Sequence, residues 1–297
     1  MSLMSKKHYL IYGGIFLLAL AFFVVGLFYD LEYAKVIYNK NIFGVMLAAL
    51  GETPAYGGMG FIAGGLYSYQ KKINDKKYKI LLIFASVVLL VVGVFLSMRA
   101  IKSTNALNIP DMWYVSLPIA LLLDVGLAIL GYDLTSKTEN KNIFKVLVFM
   151  AVVIFLELAA ITILKKVWGR PRYRFLISSN DYMQYYRNWW EIHSGVKDLF
   201  PNVSSDNFKS CPSGHTGSAA CAFLIVLLPQ FSDKLKGKET ILLIIAAVWT
   251  FLVGFSRHLM GAHFITDTTF AMMITMIISA ICYYFFFMMK KNKKVEG

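Results

Sequence analysis

The sequence predicts an all-α protein, a polytopic bundle of about eight transmembrane helices, and three observations support this prediction. Of the 297 residues, 58% are hydrophobic and only 16% are charged, whereas about a quarter of the residues in soluble globular chains are charged. Apolar stretches of about 20 residues, the length of a membrane-spanning helix, recur along the chain. The alternating pattern of barrel strands is absent, and lipid cannot satisfy the edges of open strands. One integral membrane domain, 1–297, is therefore expected.

The eight apolar segments differ in length and in the residues that interrupt them. The first follows a basic segment, is too long for a signal-peptide core and lacks a small-residue cleavage site, so it is interpreted as a retained span. The second contains Pro54, which removes a backbone hydrogen bond and breaks a helix. The sixth and seventh are short, as is typical of helices partly shielded by protein. In chain order the segments are 9–28, 43–69, 80–98, 113–131, 143–164, 216–229, 241–255 and 264–289.

The net charge of +13 is better explained by membrane topology than by nucleic-acid binding. If the N-terminus is cytoplasmic, most lysines and arginines fall in the cytoplasmic segments, as the positive-inside rule requires. This predicts cytoplasmic N- and C-termini and an extracytoplasmic loop at 165–215, and the lysine-rich loops suggest a bacterial plasma membrane. The three cysteines form no disulfide framework and no zinc motif. The cytoplasmic segments are 6–7, 70–79, 136–145, 232–239 and 290–294.

Three polar segments fall on the outer side in this topology and carry the candidate chemistry. Lys165, Arg172 and Arg257 are cations, and an arginine fork matches phosphate oxygens two at a time. Ser213 and Gly214 offer a hydroxyl group and unhindered backbone N–H groups at a helix start, where anions bind. Together they predict a site for one tetrahedral, strongly anionic group. The segments are KKVWGRPR at 165–172, KSCPSGHTGSAA at 209–220 and SRHLMGAHFITD at 256–267.

Two histidines and a carboxylate complete the predicted site. His263 and Asp267 are spaced i, i+4, which places two residues on one helix face. Asp267 is expected to accept the proton on one ring nitrogen of His263 and to leave the other nitrogen free to attack. His215 has a pKa suited to proton transfer near neutral pH, and is expected to protonate the leaving oxygen and then to activate water.

Each of these residues also has a simpler interpretation when taken alone. Ser213 could be only a helix cap, and Arg257 an interfacial anchor. Lys165 and Lys166 could be snorkelling residues at a span end. His263 and Asp267 could be a plain helix pair. The coincidence of three segments on one side favours a site. A metal is not predicted, because the surrounding arginines and lysines would repel a divalent cation, and no other cofactor is expected.

Two of the segments resemble signatures of the type 2 phosphatidic acid phosphatase superfamily. PSGH at 212–215 matches the second signature. Ser256 and Arg257, followed by His263 and Asp267, match the third signature, SR-x5-H-x3-D.

The first signature of that superfamily, K-x6-R-P, is matched in part. Lys165 and Arg172 have the K-x6-R spacing, but Tyr173 stands where the family has proline. Lys166 and Arg170 are therefore alternative positions for the two cations.

The resemblance covers 165–267 and implies a metal-independent phosphatase or phosphotransferase that acts through a phosphohistidine. It implies that His263 is the nucleophile, Asp267 its partner and His215 the acid and base. The family fold has six helices, with the first signature after its third. Here that signature follows the fifth span, so 1–78 are expected to form two extra spans and 79–297 the phosphatase core. The implied phosphoryl ligands are Lys165, Arg172, Ser213, Gly214 and Arg257.

The expected function is hydrolysis of a lipid phosphate or pyrophosphate at the outer leaflet. The expected partners are the lipid phosphate substrate and membrane lipids, without nucleic acid. Candidate substrates resembling those of the family are phosphatidic acid, phosphatidylglycerophosphate and undecaprenyl pyrophosphate. Transfer of the phosphoryl group to another acceptor, or binding and transport without chemistry, are the alternatives.

Further polar and aromatic residues have two interpretations each. Glu52, Asp124 and Glu157 fall inside apolar segments, where acids are costly and often functional. They predict either a gate or headgroup pocket built by the extra spans, or structural acids that face the bundle interior. The aromatic segment 181–193 predicts either an interfacial belt or a lid over a lipid site.

Overall fold

The computed structural model describes residues 5–104, 112–193 and 195–289, and within these ranges every regular element is a helix. The all-α prediction is confirmed. The lysines at 290–294, predicted to be cytoplasmic, lie outside the described residues. The α-helices are α1 (Lys6–Ile37), α2 (Ile42–Leu50), α3 (Thr53–Tyr69), α4 (Lys76–Thr104), α5 (Trp113–Lys137), α6 (Ile143–Trp168), α7 (Tyr173–Leu176), α8 (Gly214–Ala220), α9 (Glu239–Leu259) and α10 (Ile265–Tyr283).

Six of the described helical segments are long and apolar enough to cross a bilayer, so the chain is a multi-pass membrane protein. Two of the eight apolar segments predicted to span the membrane are interrupted, and the count of about eight spans stays a prediction. The segment 43–69 breaks between α2 and α3, where Pro54 occupies the first turn of α3 and cannot continue a helix from before it. The segment 216–229 begins as α8 and continues as the 3₁₀ helix Cys221–Gln230.

The helices α3, α4 and α5 pack closely on one another, because glycines let their backbones touch. A Cβ atom added at Gly64 would lie 1.8 Å from the carbonyl oxygen of Ala128, and one at Gly131 would lie 2.0 Å from that of Phe61. Small residues produce such close approach between membrane helices. The contacts of α3 with α4 and α5 cross the boundary at residue 78, and the division of the chain into 1–78 and 79–297 stays a prediction.

The short helix α8 lies at the centre of the second group of helices. It packs against α6, α9 and α10, while α1 runs along α10 and α9. Thr216 and the residues that follow it in α8 are all buried. The PSGH segment at the start of α8 is therefore held from several sides.

The connection between α6 and α8 folds into a cap whose interior is aromatic. Phe175, Phe208 and Phe264 are buried together, and Trp189 packs against Trp168, with their ring centroids 5.6 Å apart. Many aromatics of the segment 181–193 thus pack on the cap and on the helix ends beneath it. The choice between a belt and a lid stays open.

Candidate functional site

A cavity of about 940 Å³ opens where the start of α8 meets α6, α9 and the junction between α2 and α3. We call it the cationic cavity, because cations from three separate parts of the sequence line it. Predicted site residues from all three polar segments are present in its wall, so the fold brings the segments together. Those that line the cavity are Lys165, Arg172, Gly214, His215 and Arg257.

The structure distinguishes between the alternative positions for the first signature. Lys165 and Arg172 line the cationic cavity, whereas Lys166 is exposed. Arg170 is completely buried and pairs with carboxylates of α1 and α10. The geometry therefore favours Lys165 and Arg172 as the cations of this segment.

Arg172 is held in the cavity wall by a carboxylate that the sequence analysis missed. Its Nη2 donates to Oδ1 of Asp206 over 3.1 Å, and Nη2 of Arg174 donates to Oδ2 of the same residue over 3.1 Å. Burial opposes ionisation of Asp206, but the charges of Arg172 and Arg174 outweigh it and lower the pKa of this carboxyl group. Asp206 therefore stays ionised and orients both guanidinium groups.

Two features shape the start of α8: Ser213 caps the helix, and Lys165 lies close to Gly214. The Ser213 hydroxyl oxygen accepts hydrogen bonds from the backbone N–H and the hydroxyl group of Thr216, so the capping role weighed for Ser213 is present. A Cβ atom added at Gly214 would lie 2.8 Å from Nζ of Lys165. A methyl group at this position would displace the Lys165 ammonium group from its place over the first turn of α8.

Gly214→Ala is expected to lower kcat/KM about 10- to 100-fold, because the new methyl group displaces the Lys165 ammonium group and small misplacements of positioned groups carry such losses. The measurement is the steady-state rate of phosphate release from a lipid phosphate by purified protein. Gly126→Ala is the matched control, since an added Cβ meets nothing within 4 Å there. An unchanged rate in Gly214→Ala would contradict the close contact.

His263 lies just before α10 and is 2% exposed. Its Nδ1 is hydrogen-bonded to the carbonyl oxygen of Ser210, so this nitrogen carries the proton, while the buried Nε2 has no hydrogen-bond partner in the described part of the chain. Burial, together with the charges of Arg172 and Lys165, lowers the pKa of His263 well below its usual range. The imidazole is therefore neutral, with a free electron pair on Nε2.

The predicted hydrogen bond between His263 and Asp267 is corrected by this geometry. The i, i+4 rule applies within a helix, but α10 begins only at Ile265, after His263. Asp267 instead caps its own helix, accepting from the backbone N–H of Phe264 over 2.9 Å. It also accepts from the hydroxyl group of Ser210, so it acts on His263 through the residue whose carbonyl oxygen holds Nδ1.

A buried network behind the site holds Asp267 in place. Arg170 Nη1 donates to Oδ1 of Asp267 over 2.7 Å, and Nη2 donates to Oδ2 of Asp30 in α1 over 3.0 Å. Asp30 in turn accepts hydrogen bonds from the backbone N–H and the hydroxyl group of Thr266. The network ties α1, the end of α6 and the start of α10 together.

His215 lies in the first turn of α8 and faces a carboxylate from the N-terminal part of the chain. Its Nε2 is 3.6 Å from Oε2 of Glu52. Burial first, and then the charges of Arg257 and Lys165, lower the pKa of His215 well below its usual range. This imidazole is therefore neutral, and an anionic ligand would make its protonation easier.

Among the described residues, no group of three or more His, Cys, Asp or Glu side chains is placed to hold a metal ion. Metal-independent chemistry stays a prediction.

The fold and the site define a multi-pass helical membrane protein with a cationic, histidine-bearing cavity at its helix ends. Residues 145–291 match the family model of the PAP2 superfamily, and this half of the chain belongs to that superfamily. The match includes α7 to α10 and every predicted site residue.

A curated relative gives a more particular similarity. Phosphatidylglycerophosphatase B of Bacillus subtilis (strain 168) is 39% identical over 72 residues, which are 24% of this chain and 35% of that protein. The chain thus matches about a third of the length of this relative. Comparison with the solved structures gives no match.

Three residues that support the site in the fold were not among the predicted ones. Asp30 is recognisable from the sequence in principle, because an acid inside a membrane span is often functional. The first apolar segment, 9–28, stops short of it, whereas α1 continues to Ile37. Ser210 and Asp206 lie in a polar loop and gave no such signal. Their roles follow only from the folded contacts.

Proposed function

We propose that this protein is a membrane enzyme that hydrolyses a phosphomonoester or a terminal pyrophosphate bond of a lipid. The observation that carries the proposal is the convergence of Lys165, Arg172 and Arg257 with His215 in one cavity. His263 is not among the lining residues, but it is close enough to these cations for their charges to add to burial in lowering its pKa. The similarity to the PAP2 superfamily and to a protein named phosphatidylglycerophosphatase B supports a lipid phosphate as the substrate.

In the proposed first step, the three cations hold the nonbridging oxygens of the phosphoryl group. The first backbone N–H groups of α8, which a helix leaves without partners inside itself, add to this binding. The free Nε2 of His263 attacks phosphorus, a P–N bond forms, and the bond to the leaving oxygen breaks. His215 gives a proton to that oxygen.

In the proposed second step, His215 takes a proton from a water molecule and the resulting hydroxide attacks phosphorus. The P–N bond breaks, inorganic phosphate leaves, and His263 returns to its neutral form. Arg172, held by Asp206, and Arg257 stabilise the charge on the equatorial oxygens in both steps. Asp267 and Ser210 keep His263 in the tautomer that leaves Nε2 free.

We place the reaction at the outer leaflet of the membrane. The distribution of lysines and arginines supports an extracytoplasmic site, and the cavity lies at the ends of spanning helices, where lipid headgroups are found. In this topology the N- and C-termini are cytoplasmic.

The test is phosphate release by the purified protein in detergent with excess EDTA, using phosphatidic acid, phosphatidylglycerophosphate and undecaprenyl pyrophosphate. Hydrolysis of at least one of these lipids without metal is the expected result. Transfer of the label from the lipid to an added acceptor would show that the reaction is phosphoryl transfer and not hydrolysis. Binding of all three lipids without turnover would overturn the proposal in favour of a binding protein.

A further inference from the structure

The break between α2 and α3 carries a buried carboxylate into the cationic cavity. Glu52 is 8% exposed and lines the cavity together with His215. A Cβ atom added at Gly51 would lie 2.7 Å from Cγ1 of Val253, so this glycine lets the break press against α9, one turn before Arg257. The PAP2 match begins only at residue 145, and Glu52 lies well before it.

The Glu52 carboxylate is aimed at the acid–base histidine. The Tyr56 hydroxyl group donates to Oε1 over 3.1 Å, which leaves Oε2 to face Nε2 of His215 at 3.6 Å. That nitrogen is buried and has no hydrogen-bond partner in the described part of the chain. Catalytic contacts are often this long before a substrate binds and shorten in the complex.

From this geometry we infer that Glu52 is a positioning residue that shares one proton with His215 and so enables His215 to protonate the leaving oxygen. The inference rests on the proposed function. It gives the N-terminal part of the chain a defined role in the chemistry of a site whose signatures lie in the C-terminal half.

The proton balance of this step is simple. The Glu52–His215 pair holds one proton in the resting enzyme. When His263 attacks, the bond between phosphorus and the leaving oxygen breaks and that oxygen takes one proton from His215, which the Glu52–His215 pair supplies. The water that later cleaves the P–N bond returns one proton to the pair, so the enzyme is regenerated unchanged.

Other charges face Glu52, and they define the competing interpretation. If Glu52 only neutralised the cations of the cavity, its loss would change phosphate binding equally for all leaving groups. If it acts through His215, its loss matters most where the leaving oxygen needs a proton. The charged or titratable groups around Glu52 are Lys165 and Glu157 of α6, Arg257 of α9, Arg99 of α4, His215 of α8 and Tyr56 of α3.

The test compares Glu52→Gln with wild type on two soluble substrates of similar size, phenyl phosphate and 4-nitrophenyl phosphate. Phenol has a pKa of about 10 and leaves poorly without a proton, whereas the more acidic nitrophenol leaves readily as its anion. We expect kcat/KM to fall about 100-fold for phenyl phosphate and no more than about threefold for 4-nitrophenyl phosphate. The inhibition constant of inorganic phosphate should change little.

Two further variants make the comparison decisive. His215→Asn should show the same dependence on the leaving group, and adding Glu52→Gln to it should cause no further loss on phenyl phosphate. Asp124→Asn is the matched control, since Asp124 is also a buried acid but belongs to α5, outside the cavity lining, and should leave the ratio of the two rates unchanged. If Glu52→Gln does not fold, Glu52→Asp, with its shorter carboxylate, should give an intermediate ratio.

An equal fall on both substrates, or additive losses in the double variant, would overturn the inference while leaving the proposed function intact. Failure of the proposed function gives a different result, because wild type would then release no phosphate from any lipid phosphate in EDTA.

Discussion

Replacing His263 with alanine is expected to lower phosphate release from the preferred lipid phosphate by about 10⁴-fold or more, the scale seen when a nucleophile is removed. The expectation rests on the neutral imidazole, whose Nδ1 is engaged by the carbonyl oxygen of Ser210 while Nε2 is free. Ser213 is a poor replacement for it, because its hydroxyl oxygen caps α8.

The decisive measurement is the trapping of the covalent intermediate. Wild type mixed with ³²P-labelled lipid phosphate and quenched in base should carry label that is lost in acid, as a phosphohistidine requires. His263→Ala should carry none, whereas His215→Asn should still form the labelled protein from a substrate with a good leaving group and then release it slowly.

His193→Asn is the control for this measurement. His193 is an exposed histidine of the cap with a positive φ of 55°, and asparagine tolerates that backbone conformation. Its rate should match that of wild type. Label retained by His263→Ala, or a rate within about tenfold of wild type, would contradict the assignment of the nucleophile and with it the proposed mechanism.

The class of fold could be predicted from the sequence because hydropathy over about 20 residues reports the membrane directly. The number of uninterrupted spans could not. The segment 43–69 is apolar enough in composition, but the break between α2 and α3 depends on how Gly51 packs on Val253 of α9. That contact joins residues about 200 positions apart in the chain, and no local pattern contains it.

The site shows the same division between local and long-range information. The positions of Lys165, Arg172 and Arg257 follow from short motifs, and the fold brings them into one cavity. The predicted hydrogen bond between His263 and Asp267 is wrong, because the i, i+4 rule assumes a continuous helix and α10 begins after His263. A helix cap at Asp267, signalled by its place in the first turn, would have been the better prediction.

The N-terminal helices supply two carboxylates that reach groups on which the site depends. Asp30 of α1 and Glu52 from the α2–α3 break each reach groups on which the site depends, Arg170 in one case and His215 in the other. These contacts join the predicted extra spans to the predicted phosphatase core. The N-terminal half supports the orientation of Asp267 from one side and faces the acid–base histidine from the other.

The second large effect is expected at Arg170, because its loss would leave two carboxylates buried without their common partner. Its guanidinium group is fully buried, as are Asp267 and, to within 3%, Asp30. Breaking a buried ion pair by removing one member costs about 3–5 kcal/mol. Arg170→Met is therefore expected to lower the thermal unfolding midpoint in detergent by about 10 °C and to lower activity in parallel.

Three measurements separate this structural role from the alternative in which Arg170 binds the phosphoryl group. Arg170→Met combined with Asp30→Asn should regain part of the lost stability, since one unpaired charge is removed with its partner. Lys137→Met, which breaks the exposed pair with Asp133, should leave the midpoint unchanged. A normal midpoint with a raised KM in Arg170→Met would instead make Arg170 a phosphate ligand. The observed burial of Arg170 between α1 and α10 argues against that result, because a side chain whose Nε, Nη1 and Nη2 all donate to protein oxygens has little capacity left for a ligand.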